Sequence, residues 1–199
     1  MTLRFAVTWD YRCPFARIAH LHVVAGLLDG ADWDVTFVPF SLGQVHVEDG
    51  ESPIWDRPGD DTGLLALQVG VAVRDNHPDQ FLPTHRALFE ARHARGLQLR
   101  DPDVLRTVIT EVGLDADSVM DEVSGGKPLD VIRDEHTAAV AETEVWGVPT
   151  FIADDRAVFV RLTEPPTDAA DARRTVERVV DMLTGWPQLN EFKHTTLER

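Results

Sequence analysis

Near its amino end the chain changes hydrophobic period twice. Residues 4–9 (Arg4-Phe5-Ala6-Val7-Thr8-Trp9) alternate in β-favouring types, which predicts a strand. A tight turn through Cys13-Pro14 then opens an Ala-, Leu- and His-containing run to about Leu28, which predicts a helix. Pro14 fits the first helical turn, where a missing N–H forfeits no intrahelical bond, and Gly30 fits the stop. Trp33 to Pro39 reads as a second strand.

From Ser41 the signal turns helical. A Gly/Pro/Asp-rich loop from Glu48 to Gly63 is followed by expected helices near 63–75, 79–95, 101–112 and 115–123. Asp101 and Asp115 are expected as N-caps, with Pro102 at a first helical position. Leu82, Leu88 and Phe89 share a helical face with His85 and Arg92. Past Gly125-Gly126 comes a helix over about 129–142. Val145 to Ile152 and Ala157 to Arg161 then read as a β-hairpin about a polar turn. A last helix over 168–184 carries Val176, Val179, Val180 and Leu183 as its buried stripe. The pattern is α/β, with an all-helical insertion over 41–124.

At 199 residues the length suits one compact domain or one domain carrying a large insertion. Such a chain buries about 70% of its unfolded surface and needs no disulfide or metal staple. Thirty-four acidic against nineteen basic residues give a net charge of −15, which repels phosphate backbones and anionic membranes. Only Lys127 and Lys193 are lysines; the other basic residues are arginine, a bias that points to a GC-rich genome. The start lacks a signal-peptide pattern and no run reaches the ~18 apolar residues of a membrane span, so a cytoplasmic location is expected. The single cysteine, Cys13, has no intrachain partner, so any redox role needs a thiol from outside.

A cysteine at a helix start faces unpaired backbone N–H groups and the positive end of the helix dipole. That setting favours the thiolate and predicts a lowered pKa, helped by Arg12 and Arg17 if they face the sulfur. The bland reading of a lone cysteine is a buried, inert side chain. The second element is Gly147-Val148-Pro149-Thr150-Phe151, which alone is an ordinary strand-edge proline.

Taken together, Asp10-Tyr11-Arg12-Cys13-Pro14-Phe15, a helical insertion and Gly147-Val148-Pro149-Thr150-Phe151 resemble the DsbA-like thioredoxin superfamily. That superfamily includes mycothiol-dependent oxidoreductases of actinobacteria and the kappa-class glutathione transferases with 2-hydroxychromene-2-carboxylate isomerases. The resemblance covers essentially the whole chain. It implies a thioredoxin-like fold over 1–40 and 125–199, interrupted at 41–124, with a cleft between the two parts. It further implies a catalytic Cys13, a cis Pro149, and a small thiol (mycothiol or glutathione) held by Pro14, Phe15, Val148 and Pro149, with the Val148 backbone pairing as an added strand would. The dithiol members carry a second cysteine three positions after the first, where this chain has Ala16. A monothiol cycle resolved by an external thiol is therefore expected.

Trp9, Asp10, Tyr11, Ala16, Ser41 and Trp146 are candidates for a substrate pocket, with Trp55 a further aromatic; packing and capping are the competing uses of these residues. His20 and His22 point to different helix faces, and His85 and His93 lie about 12 Å apart by helical rise, so no metal pair is expected. No Gly-rich phosphate loop is present. The expected function is a cytoplasmic monothiol oxidoreductase acting on a small-molecule or protein disulfide, without metal, nucleic acid or membrane, and with a homodimer left open. The alternatives are a thiol-dependent transferase or isomerase, in which the bound thiol is itself the nucleophile, and a redox-inactive binding module.

Overall fold

The structure is a computed structural model that describes residues 2–191 and 193. The first strand, β1 (Leu3–Trp9), leads through Cys13 into α1 (Pro14–Leu28), and β2 (Trp33–Pro39) follows. The helical block comprises α2 (Leu42–Val45), α3 (Leu64–Asn76), α4 (Pro78–His93), α5 (Pro102–Glu111) and α6 (Ala116–Ser124). Then come α7 (Lys127–Thr143), the hairpin strands β3 (Thr150–Ala153) and β4 (Arg156–Phe159), and α8 (Ala169–Gly185). Among the described residues no helix is long and apolar enough to cross a membrane.

The four strands form one sheet in the order β2-β1-β3-β4. β1 runs parallel to β2 in the register Leu3↔Trp33 to Trp9↔Pro39, as a strand-helix-strand crossover requires. β3 lies antiparallel to β1 with Val7 opposite Phe151, and β4 closes the hairpin with Phe151 opposite Val158. This is a thioredoxin-like sheet carrying a block of helices, as the sequence implies. Phe5, Val7, Trp9 and Phe151 are buried, and α1 and α8 pack on one another, α1 also against β1 and α8 against β3 and β4. Across the molecule α4 packs on α1, while α7 packs on α3, α6 and β2 and so touches both the helical block and the sheet.

The elements start and stop where the local chemistry says they should. Pro14 opens α1, Gly30 leaves it at φ 78, and Asp101 and Asp115 cap α5 and α6 through their carboxylates. Of the expected stripe on α8, Val176, Val180 and Leu183 are buried and Val179 is half-buried. Some boundaries differ. β3 begins at Thr150 rather than near Val145, because residues 147–149 form a loop with a cis Val148–Pro149 bond. The loop between Glu48 and Gly63 contains two 3-10 turns, Ile54–Asp56 and Pro58–Asp60. The four-residue α2 is too short to carry a period in sequence.

Candidate active site around Cys13

Cys13 is the N-cap of α1, with extended backbone (φ −84°, ψ 118°), and its Sγ accepts from the Ala16 N–H at 3.4 Å. On its other side the thiol donates to the Val148 carbonyl at 3.3 Å. Residues 135 apart in sequence thus meet at one sulfur. The proline loop is held there by β1: Thr150 N–H donates to Thr8 Oγ1 at 2.9 Å, and Thr150 Oγ1 donates to the Gly147 carbonyl at 2.8 Å. Val160 N–H donates to the Pro149 carbonyl at 3.0 Å.

The expected lowering of the Cys13 pKa is overturned. Burial pushes the thiol up, the Ala16 and Phe15 backbone groups pull it down, Asp10 adds to the rise, and Arg161 opposes it; burial is the largest of these and the pKa is raised. The expected cations are engaged elsewhere. Arg12 donates to Asp10 through Nη2 at 2.8 Å and to Asp61 through Nη1 at 2.9 Å, and Arg17 faces Glu90 at 3.5 Å. The cation that does act on the sulfur is Arg161, whose guanidinium lies 4.0 Å over the Phe15 ring. Sequence reasoning missed it, since no spacing links position 161 to position 13.

Most of the expected pocket residues prove to be the backing of the site. Trp9, Asp10, Ala16 and Ser41 are 0% exposed. Asp10 accepts from Arg12 N–H at 2.9 Å and from Leu42 N–H at 2.9 Å, so it braces the turn before Cys13 and the start of α2. Asp61 accepts from Gly63 and Leu64 N–H at 2.7 and 2.8 Å, which caps α3 and ties it to the same arginine. Ser41 caps α2, accepting from Gln44 N–H at 3.3 Å. Tyr11 is also fully buried and reaches only the wall of a separate cavity. Val148 and Pro149 are buried too, whereas Pro14 is exposed and Phe15 half-buried. Trp146 is 65% exposed and packs on Phe159 with ring centroids 4.5 Å apart. Trp55 stands edge-on to His136.

Behind the turn lies a chain of buried side chains that spacing alone does not show. His20 Nε2 lies 3.0 Å from the Thr8 carbonyl, which only accepts, so His20 carries its proton there. Neutral His20 then accepts at Nδ1 from His85 Nε2 at 2.9 Å, and neutral His85 accepts at Nδ1 from the Tyr11 hydroxyl at 2.8 Å. Burial lowers the His20 pKa to about 4 and pushes that of His85 well down, which keeps both rings neutral. His93 Nε2 donates to the Tyr11 carbonyl at 2.8 Å.

Several solved structures share this arrangement of elements. DsbA from Xylella fastidiosa aligns with a TM-score of 0.59 at 20% identity over 89% of this chain and 84% of that one. A 2-hydroxychromene-2-carboxylate isomerase aligns at 0.62 and 15% identity over 79% and 88%. An uncharacterised protein of Mycobacterium tuberculosis is 27% identical over 93% of this chain and 79% of its own length. The DSBA-like thioredoxin domain matches residues 64–165, about half of the chain, from α3 through the proline loop and the hairpin. On that match, which spans half of the chain, the chain belongs to the DSBA-like thioredoxin domain family.

Proposed function

We propose that the protein is a cytoplasmic monothiol oxidoreductase that works through Cys13 with an external small thiol, mycothiol or glutathione. The observation that carries this reading is the Cys13 sulfur set between the α1 N-terminus and the Val148 carbonyl, with Ala16 where a resolving cysteine would stand. Cys13 attacks one sulfur of a disulfide, the S–S bond breaks, and the proton lost by Cys13 goes to the departing thiolate. A second thiol then attacks the mixed disulfide, releases Cys13 and forms a new disulfide. Electrons are exchanged between the incoming thiols and the disulfide, and the chain supplies none.

The small thiol docks against exposed Pro14 and half-buried Phe15, beside the Val148–Pro149 loop. To pair with Val148 it displaces the Cys13 thiol from the Val148 carbonyl, which freshens the sulfur for attack as it does so. A second reading is favoured by the raised Cys13 pKa. A protonated Cys13 suits a transferase or isomerase, in which the bound thiol is the nucleophile and Cys13 donates a hydrogen bond to it.

Intact-mass analysis after incubation with oxidised glutathione and with oxidised mycothiol separates them. A one-thiol adduct in wild type that is lost in Cys13→Ser, with turnover of a small disulfide only when free thiol is added, is the expected result. Thiol binding without an adduct moves the assignment to the second reading. Turnover of protein disulfides with no added thiol overturns the monothiol cycle.

A further inference from the structure

Between the start of α3 and the connection from α4 to α5 lies a cavity of about 260 Å³. Nine residues line it; three are arginines, Arg12, Arg92 and Arg100, and none is a carboxylate. In a chain with 34 acidic and 19 basic residues that wall is the reverse of the overall charge balance. Arg12 is committed to Asp10 and Asp61. Arg92 and Arg100 are not: among the described residues neither has an acidic partner. Among the described residues the Arg92 guanidinium makes a single hydrogen bond, a long one of 3.5 Å to the Leu97 carbonyl. Thr62 and Gln98 add a hydroxyl and an amide to the wall. The first turn of α3 opens onto the same space, and Asp61 caps only its Gly63 and Leu64 N–H groups, so the next two donors have no acceptor within the helix.

We infer that this cavity binds a small molecule through an oxyanion, carboxylate or phosphate, with Arg92 and Arg100 as the paired cations. Two guanidinium groups in the wall of one concave space can supply the planar, charge-assisted bonds that such groups accept, and a volume of this size admits a compact anion or the acidic end of a larger ligand. The net charge of −15 repels anions from the rest of the molecule, so a bound anion reports this pair rather than a diffuse basic surface. Cys13 does not line the cavity, and the inference stands apart from its thiol chemistry.

Titration calorimetry of the full chain at low ionic strength, with inorganic phosphate, succinate and citrate as separate probes and sodium chloride as the blank, tests it. Saturable binding of at least one probe is expected, about tenfold or more weaker in Arg92→Gln and in Arg100→Gln, and absent in the double variant. Binding confined to phosphate names the phosphate class; binding confined to succinate or citrate names the carboxylates. Arg133→Gln, on the exposed side of α7, leaves affinity unchanged. If the double variant fails to fold, Arg100→Gln, at an exposed position, carries the test alone. No saturable binding of any probe by the wild type, or affinity unchanged by the arginine substitutions, overturns the assignment.

Discussion

The Cys13 sulfur accepts from one backbone group and donates to another, so its protonation is decided by which environment costs the charged form more. The helix start offers N–H groups; the surrounding protein removes water, and removal of water prevails. Alkylation of Cys13 against pH is expected to show a midpoint above that of free cysteine measured in parallel. Arg161→Gln moves it further up, because that guanidinium is the side chain opposing the rise. A midpoint below free cysteine contradicts the account. Asp10 sits at 0% side-chain exposure against an arginine at 23%, and removal of the cation leaves a buried carboxylate with only backbone donors. Arg12→Gln is therefore expected to cost about 3 kcal/mol in urea unfolding, with Arg12→Lys recovering only part, since a single ammonium nitrogen lacks the planar fork that reaches Asp10 through Nε and Nη2 and Asp61 through Nη1. The cysteine's place at the cap was legible in sequence because a cap is decided by its nearest neighbours. The partnership of Arg12 with Asp61 was not, since 49 residues and a loop without periodicity separate them.

At the scale of elements, α1 and α4 meet through His20 and His85, and the acceptor at Thr8 gives the hydrogen bonds one direction. The unfolded histidine titrates near 6.5 and the folded His20 near 4, so as pH falls the unfolded chain takes the proton first. Stability is thus expected to be full above pH 6.5 and to be lost between about 6.5 and 4, by about 3 kcal/mol from His20 alone, with His85 adding in the same sense. Urea midpoints measured through that window check it, and His20→Gln should show a shallower slope; equal slopes rule the pair out as the cause. On α3 a Cβ placed at Gly70 would lie 2.5 Å from the Tyr11 hydroxyl, which is tied to His85 and cannot swing aside. Gly70→Ala would otherwise favour a helix by about 1 kcal/mol, yet it is expected to destabilise, because overpacking costs about 1–3 kcal/mol. A raised melting temperature would refute this. Long helices and strands were legible from period, as α4 and β2 illustrate. That His85 faces His20 rather than solvent was not, because period assigns a side chain to a face and leaves open what lies across from it.

At the scale of the molecule, the sheet and the helices are joined at the turn before the cysteine. Tyr11 reaches α4, and Arg12 reaches the residue that caps α3. The change of signal at Ser41 marked where the helices begin, yet the seam between the two parts crosses residues that sequence reading offered as a substrate pocket. Fully buried aromatic and acidic side chains beside a nucleophile look alike in sequence whether they line a pocket or brace one. The family match begins at residue 64, so Arg12 and Asp61 both precede it, and of their side-chain hydrogen bonds only the one from Leu64 N–H to Asp61 crosses that limit. This bears on chimeras. Grafting the helical block of a relative onto this chain would replace Asp61 while keeping Arg12, and a recipient without an acid at that place would inherit a misfit one residue from its reactive sulfur. Positions 12 and 61 therefore act as a compatibility pair, to be exchanged together or left together whenever parts of such proteins are shuffled.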